Sequence, residues 1–273
     1  MRPLLNVTGR SRPEHEEHNM KHTENLRIGI LGTGHIGKTL ARTLASAGHR
    51  VRVANSRGPE TIAAEVLATG AVATDAAAAL AEVQVVILSV PLTRLSDLVP
   101  LIQQLPEDVI IADTSNYYPH RDGIISAIVN GQVESLWVAG LLGRPIVKAW
   151  NAIGSDSLVK KGLSGKSAAR LAIPVAGDTL QRRTVIMDLV NDTGFDPFDA
   201  GTLAESWRQQ PGAPCYCTDL TREEMGPALA SAEIARLPAR RDLAVAAIQE
   251  RMGDNKTNPD ADYLVRLHRA LFM

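Results

Sequence analysis

The chain has 273 residues, 45% of them hydrophobic and 22% charged, which is ordinary for a globular protein. Its formal net charge of -1 leaves no excess of basic groups to neutralise phosphates, and this excludes broad binding to nucleic acids or anionic membranes. No apolar run reaches the roughly 18 residues that a membrane-spanning helix requires.

The first segment, residues 1–25, is polar and is predicted to be a disordered tail. It lacks the apolar core of a secretory signal. The chain has only two cysteines, Cys215 and Cys217, which are too close together for a relaxed disulfide and lack a second pair of zinc ligands. We therefore expect a cytoplasmic protein with ordinary thiols and no metal site.

Short apolar runs alternate with helical stretches from residue 26 onwards. This alternation predicts parallel strands joined by right-handed crossovers, which is an α/β fold with a doubly wound parallel sheet of the Rossmann type. The predicted strands are residues 26–31, 51–54, 83–90, 109–112, 145–149 and 171–176. The predicted helices are residues 36–47, 59–67, 75–81, 93–105 with a bend at Pro100, 222–235, 239–252 and 260–271.

The loop after the first predicted strand matches two motifs. Gly32, Gly34 and Gly37 form the dinucleotide fingerprint, while Gly32 and Gly37 followed by Lys38-Thr39 also satisfy the phosphate loop of nucleotide triphosphatases. The first interpretation explains all three glycines, by the tight turn, the approach to a pyrophosphate and the packing of helix on strand. The second leaves Gly34 unexplained and needs a magnesium ligand, for which Asp113 is the candidate.

The end of the second predicted strand favours the dinucleotide interpretation. In a Rossmann domain this point, about 20 residues beyond the glycines, contacts the adenosine ribose, and an NAD site usually places Asp or Glu there. This chain has Asn55, Ser56 and Arg57 instead. Because a hydroxyl and a forked guanidinium suit a 2′-phosphate, the sequence predicts NADP.

The whole pattern resembles the coenzyme F420-dependent NADP oxidoreductases and the related cytosolic reductase domain of the six-transmembrane metalloreductases. The resemblance covers about residues 26–200. The segments that carry it are Ile30-Leu31-Gly32-Thr33-Gly34-His35-Ile36-Gly37, Asn55-Ser56-Arg57, Ser89-Val90-Pro91, Asp113-Thr114-Ser115-Asn116, Val147-Lys148-Ala149-Trp150-Asn151, Val175-Ala176-Gly177-Asp178 and Asp199-Ala200-Gly201.

The resemblance implies a role for each loop. Residues 33–36, which are Thr33, Gly34, His35 and Ile36, would line the pyrophosphate. Ser56 and Arg57 would hold the 2′-phosphate, although the family usually has glycine where this chain has Asn55. The ribose and nicotinamide would lie along Val90, Pro91 and Asn116.

Hydride transfer between a nicotinamide and a flavin-like ring requires stacking more than a protein acid or base, so we expect no obligatory catalytic residue. Asn151 and Ser155 are the candidates for contact with the acceptor, which would be F420 or a flavin (FMN or FAD). Asn151 is equally suited to capping the helix that follows it. Residues 148–155 resemble the metalloreductase domain more than the archaeal deazaflavin enzymes, so the acceptor stays open.

Three segments are expected: the tail, an NADP-binding domain at residues 26–155 and a small C-terminal domain with helices at residues 156–273. The C-terminal helices are amphipathic enough to pack on the sheet or on a second subunit, and a homodimer is expected. The partner would otherwise be a small-molecule hydride acceptor. Two alternatives are an NADP-dependent dehydrogenase or imine reductase acting on a small molecule, and a redox sensor that binds NADP without turnover.

Overall fold

The computed structural model describes residues 25–165, 167–254 and 257–273. Apart from Asn25, the predicted tail therefore lies outside the described residues. Within the described ranges, no helix combines the length and apolar character needed to cross a membrane.

Eight strands form one sheet in the order β3-β2-β1-β4-β5-β6-β7-β8. Neighbouring strands are parallel except β6 and β7, which are antiparallel. The predicted α/β fold of the Rossmann type is confirmed, and the expectation that every pair is parallel is wrong at this one pair. The strands are β1 (Arg27–Leu31), β2 (Arg50–Ala54), β3 (Val72–Ala73), β4 (Val85–Leu88), β5 (Ile110–Asp113), β6 (Val147–Lys148), β7 (Ala172–Gly177) and β8 (Asp196–Asp199).

Helices connect the strands and cover both faces of the sheet. In the described residues four 3₁₀ segments accompany them, at Pro59–Thr61, Leu92–Leu98, Leu203–Gln209 and Ile234–Arg236. The α-helices are α1 (His35–Ser46), α2 (Ala64–Leu67), α3 (Ala76–Leu80), α4 (Val99–Ile102), α5 (Pro119–Asp122), α6 (Ser126–Val129), α7 (Glu134–Leu142), α8 (Ser155–Lys160), α9 (Leu180–Asp192), α10 (Arg222–Ala230), α11 (Leu237–Met252) and α12 (Ala261–Phe272).

Two predicted helices are broken in the structure. Residues 59–67 form a 3₁₀ turn followed by α2, and residues 93–105 form a 3₁₀ segment followed by α4. Pro100 lies in the first turn of α4, where the missing amide hydrogen costs nothing, so the bend falls where the proline predicts it.

Side chains that alternate along the strands build two apolar layers. Ile28 and Ile30 of β1 are fully buried on the side of the sheet that α1 covers with Leu40 and Leu44. Val86 and Leu88 of β4 belong to the opposite layer, which includes residues of α7. Burial on both faces explains the uninterrupted apolar run of β4.

The residues after α8 continue the same sheet through β7 and β8 and then add α10, α11 and α12. These helices pack in a third apolar cluster with residues 213–220. Cys215 and Cys217 belong to this cluster as buried free thiols. The domain boundary at residue 155 stays a prediction.

Candidate functional site

The glycine loop joins β1 to α1, and its three glycines have different surroundings. Gly32 has φ +106, and a Cβ there would lie 2.1 Å from the Ser89 carbonyl oxygen. At Gly37 a Cβ would lie 2.0 Å from the Gly32 oxygen. Gly34, by contrast, has open space on its Cβ side and forms the N-cap of α1 without a side-chain hydrogen bond. The first-turn amides of α1 are therefore accessible to an anion.

The loop after β2 is organised by Asn55. Its Oδ1 accepts from the Arg57 backbone N–H at 2.8 Å, and its Nδ2 donates to Thr61 Oγ1 at 2.9 Å and to Thr33 Oγ1 at 3.3 Å. Ser56 and Arg57 are exposed. In the described part of the chain, the Arg57 guanidinium has neither a hydrogen-bond acceptor nor a carboxylate partner. This cation is therefore free to bind a ligand beside the glycine loop.

A cavity of about 510 Å³ adjoins the carboxyl ends of β1, β4 and β5. The strand order reverses between β1 and β4, and this switch point is where open α/β sheets bind ligands. Of the residues predicted from sequence, the cavity wall contains Gly34, His35, Ile36, Val90, Pro91, Asn116, Asn151 and Ser155. Outside the wall, in or beside the glycine loop, lie Gly32, Thr33, Gly37, Asn55, Ser56 and Arg57.

Asn116 and Asn151, both in the cavity wall, form two hydrogen bonds with each other. Asn116 Nδ2 donates to the Asn151 carbonyl oxygen at 2.9 Å, and Asn151 Nδ2 donates to Asn116 Oδ1 at 3.1 Å. Asn151 also exchanges two hydrogen bonds with buried Gln209, each of 2.9 Å. The suggestion that Asn151 caps the next helix is wrong, because Gly154 is the N-cap of α8 and no side chain bonds there. Ser155 begins α8, and its Oγ accepts from Asn258 Nδ2 at 3.3 Å.

A buried ion pair lies beneath the loop after β5. Asp113 Oδ2 is 2.5 Å from Lys148 Nζ, and both side chains are fully buried. Asp113 also accepts from the backbone N–H and the hydroxyl of Ser115, each at 3.1 Å, while Lys148 donates to the Ser115 carbonyl. The pair therefore fixes the loop that carries Asn116.

These contacts decide between the two interpretations of the glycine loop. A triphosphatase would need Lys38 on the phosphates and Asp113 on magnesium. Lys38 instead pairs with Glu65 at 3.3 Å, and Asp113 is buried against Lys148. The structure favours the dinucleotide interpretation.

The wall of the cavity opposite the glycine loop, here called the far wall, is formed by residues of α11, α12 and residues 211–217. It was not predicted from the sequence. Tyr118 and Tyr216 hydroxyls meet there at 2.7 Å, and burial raises the pKa of both, so both stay protonated. Burial lowers the pKa of His268 to about 4, and its Nδ1 donates to the Tyr216 carbonyl at 3.2 Å as a neutral ring. These residues are distant in sequence and form no motif.

Residues 27–117 match the family model described as NADP oxidoreductase, coenzyme F420-dependent. Rat metalloreductase STEAP3 is 26% identical over 181 residues, which is 66% of this chain and 35% of that protein. YjhV of Escherichia coli K12 is 60% identical over 53 residues, which is 19% of this chain and 39% of that protein. The chain thus spans well under half the length of either curated relative. The family match confirms the resemblance inferred from the motifs.

Two solved structures share the fold. The hypothetical protein SMa0349 of Sinorhizobium meliloti has a TM-score of 0.63 and 28% identity, covering 72% of this chain and 95% of that one. A candidate F420-dependent NADP reductase of Arthrobacter sp. FB24 has a TM-score of 0.56 and 17% identity, covering 86% and 99%. Both likenesses extend well beyond the segment that the family model matches.

Proposed function

We propose that this chain binds NADPH and transfers a hydride between NADP(H) and a flavin-like acceptor, either F420 or FMN/FAD. The proposal rests on two groups that lie at the same edge of the sheet and are both available to a ligand. Gly34 leaves the N-terminus of α1 open, and the unpaired Arg57 guanidinium lies at the end of the neighbouring strand. The family match over residues 27–117 supports an NADP-dependent oxidoreductase.

The residues present fit NADP(H). The α1 amides would bind the pyrophosphate, because Gly34 carries no side chain that would fill this position. Arg57, with Ser56 beside it, would bind the 2′-phosphate by charge-assisted hydrogen bonds. Val90, Pro91 and Asn116 line the cavity farther along the sheet edge, where the nicotinamide half would lie.

The nicotinamide supplies the hydride when it is bound, and the residues of the chain orient the nicotinamide and the acceptor. The Asp113–Lys148 ion pair and the Asn116–Asn151 hydrogen bonds fix the loops beside the cavity, and this would help to align a nicotinamide with the acceptor ring. Among the described residues of the cavity wall there is no lysine and no pair of carboxylates. This wall suits a transfer that needs no protein acid or base.

A second candidate is reduction of a small carbonyl or imine with NADPH. The paired hydroxyls of Tyr118 and Tyr216 favour it, because such a substrate takes up a proton together with the hydride. The raised pKa of both hydroxyls weakens them as acids, and this is why we place the flavin-like acceptor first.

The two candidates are separated by following the loss of NADPH absorbance under anaerobic conditions with FMN, FAD, F420, or a set of ketones and imines. Oxidation of NADPH by one of the three tricyclic acceptors, with no turnover of the small carbonyls or imines, is the expected result. Turnover of an imine or ketone alone would establish the second candidate. NADPH binding without turnover of any acceptor would indicate a redox sensor.

A further inference from the structure

Among the residues that the structure describes, one guanidinium in the cavity wall has both terminal nitrogens without a protein partner. Arg241, on α11, is only 9% exposed and lines the cavity. Its Nε donates to Asp242 Oδ1 at 2.7 Å, and that carboxylate is largely exposed. The two terminal nitrogens make no hydrogen bond to any residue that the structure describes. Because Arg241 lines the cavity and these two nitrogens lack a protein acceptor there, a ligand that enters the cavity can bind them.

The position of Arg241 separates it from the glycine loop. Its guanidinium carbon lies 5.5 Å from the centre of the Tyr117 ring, and Tyr117 follows β5. The glycine loop follows β1, two strands away in the sheet, which is about 10 Å at the usual strand spacing. Arg241 therefore belongs to the half of the cavity that lies beyond the pyrophosphate loop.

The charged groups of the cavity wall favour an anion. Arg121 is the other cation, and its guanidinium is held by Asp122 and by the Asn116 carbonyl. Asp254 is the single carboxylate among the described lining residues. Arg121 is engaged through Nε and a terminal nitrogen, whereas Arg241 is engaged through Nε alone, so Arg241 has both terminal nitrogens available for a bound molecule.

We propose that Arg241 binds an anionic group, a phosphate or a carboxylate, on the side chain of the hydride acceptor. This inference rests on the proposed function, since it concerns the acceptor half of the same site. It assigns recognition of the anionic tail that F420, FMN and FAD share and that riboflavin lacks. A forked guanidinium on a helix suits such a group, because it can donate two parallel hydrogen bonds.

FMN and riboflavin make a matched pair of probes, because they share the ring and differ in the terminal phosphate. Binding is measured by quenching of flavin fluorescence on protein loaded with NADP⁺, and turnover is measured separately with NADPH. Wild-type protein should bind FMN at least about tenfold more tightly than riboflavin, the worth of one charge-assisted contact. In Arg241→Gln this ratio should fall towards one, and Arg241→Lys should retain part of it.

Arg236→Gln is the control, since it removes an equal charge just before α11 from an exposed side chain paired with Glu233. It should leave the FMN-to-riboflavin ratio unchanged. A ratio near one in wild-type protein, or a ratio that Arg241→Gln does not change, overturns the inference. If neither flavin binds, F420 serves as the probe, and an F420 affinity that Arg241→Gln leaves unchanged overturns it. A loss of NADPH affinity equal to the loss for the acceptor assigns Arg241 to the nicotinamide cofactor and overturns it too. Arg241-dependent acceptor binding without turnover of FMN, FAD or F420 supports the anion site and contradicts the proposed function.

Discussion

Asn55 Nδ2 lies 3.3 Å from Thr33 Oγ1, so one side chain joins the loop after β2 to the glycine loop after β1. The same amide group orders its own loop through Arg57 and Thr61. The Asn55 side chain therefore connects the two loops to which we assign phosphate binding.

Arg57→Ala should weaken NADPH binding by about 1.5–3 kcal/mol, which is roughly ten- to hundredfold, because a charge-assisted contact to the 2′-phosphate is lost. NADH lacks that phosphate, so its affinity should barely change. Calorimetric titration of both cofactors into both proteins checks this. Equal losses for NADPH and NADH would mean that Arg57 has a structural role.

Gly34→Val should abolish NADPH binding while the protein stays folded. The backbone at Gly34 has φ -69, which valine adopts readily, and the new side chain would occupy open space where the pyrophosphate should lie. Gly37→Val is the contrasting variant, because its Cβ would collide with the Gly32 oxygen, and it should lower the melting temperature. Normal NADPH affinity in a folded Gly34→Val protein would refute the placement of the pyrophosphate.

Lys38→Ala should have little effect on NADPH binding. The Lys38–Glu65 pair joins two partly exposed side chains at 3.3 Å, and such pairs contribute about 0–1 kcal/mol. We expect the NADPH affinity to change by less than about threefold on this basis. If nucleotide binding disappeared in Lys38→Ala and ATP protected the native protein from unfolding, the triphosphatase interpretation would be correct.

Glu134→Gln should make stability less dependent on pH. Burial raises the pKa of Glu134 from 4.5 to about 7 in the folded protein. The protonated side chain therefore contributes fully to the free energy of unfolding below pH 4.5, and this contribution is lost as the pH rises through about 7. Glutamine can still accept from the Tyr117 backbone N–H, which Glu134 does at 3.0 Å. The free energy of unfolding in urea should fall by about 2–3 kcal/mol more in the wild type than in the variant when the pH is raised from 5 to 8. Parallel pH profiles would contradict the shifted pKa.

Ser155→Trp should slow transfer to the acceptor and leave NADPH affinity nearly intact. Ser155 lines the cavity at the start of α8, where an indole would narrow the space for a tricyclic ring. Ser155→Ala is the matched control, since it removes the hydrogen bond with Asn258 without filling the cavity. Stopped-flow oxidation of NADPH by the acceptor measures the effect. Unchanged turnover in Ser155→Trp would place the acceptor elsewhere.

The loops of the candidate nucleotide site could be located from the sequence because their signals are local. The glycines, the apolar strands β1 and β4, and Asn55-Ser56-Arg57 each lie within a few residues of the turn that they specify. The spacing rule of the Rossmann fold then brings them to one edge of the sheet.

The missed elements depend on contacts distant in sequence. β8 consists of Asp196-Pro197-Phe198-Asp199, in which a proline and two aspartates disfavour a strand, and it becomes a strand through its pairing with β7. β3 has two residues, and α7 is apolar on nearly all sides, so neither shows a periodic pattern. The far wall of the cavity is formed when α11 and α12 bring Arg241 and His268 to the loop after β5, and no spacing rule predicts that.

The cavity takes its two sides from separate parts of the chain. The glycine loop precedes α2, whereas α11 and α12 come last among the described elements. Under the proposed function, substitutions in α11 and α12 would change which oxidant is reduced, while the source of reducing equivalents would stay the same. The choice of oxidant and the choice of coenzyme could then be altered independently by mutation.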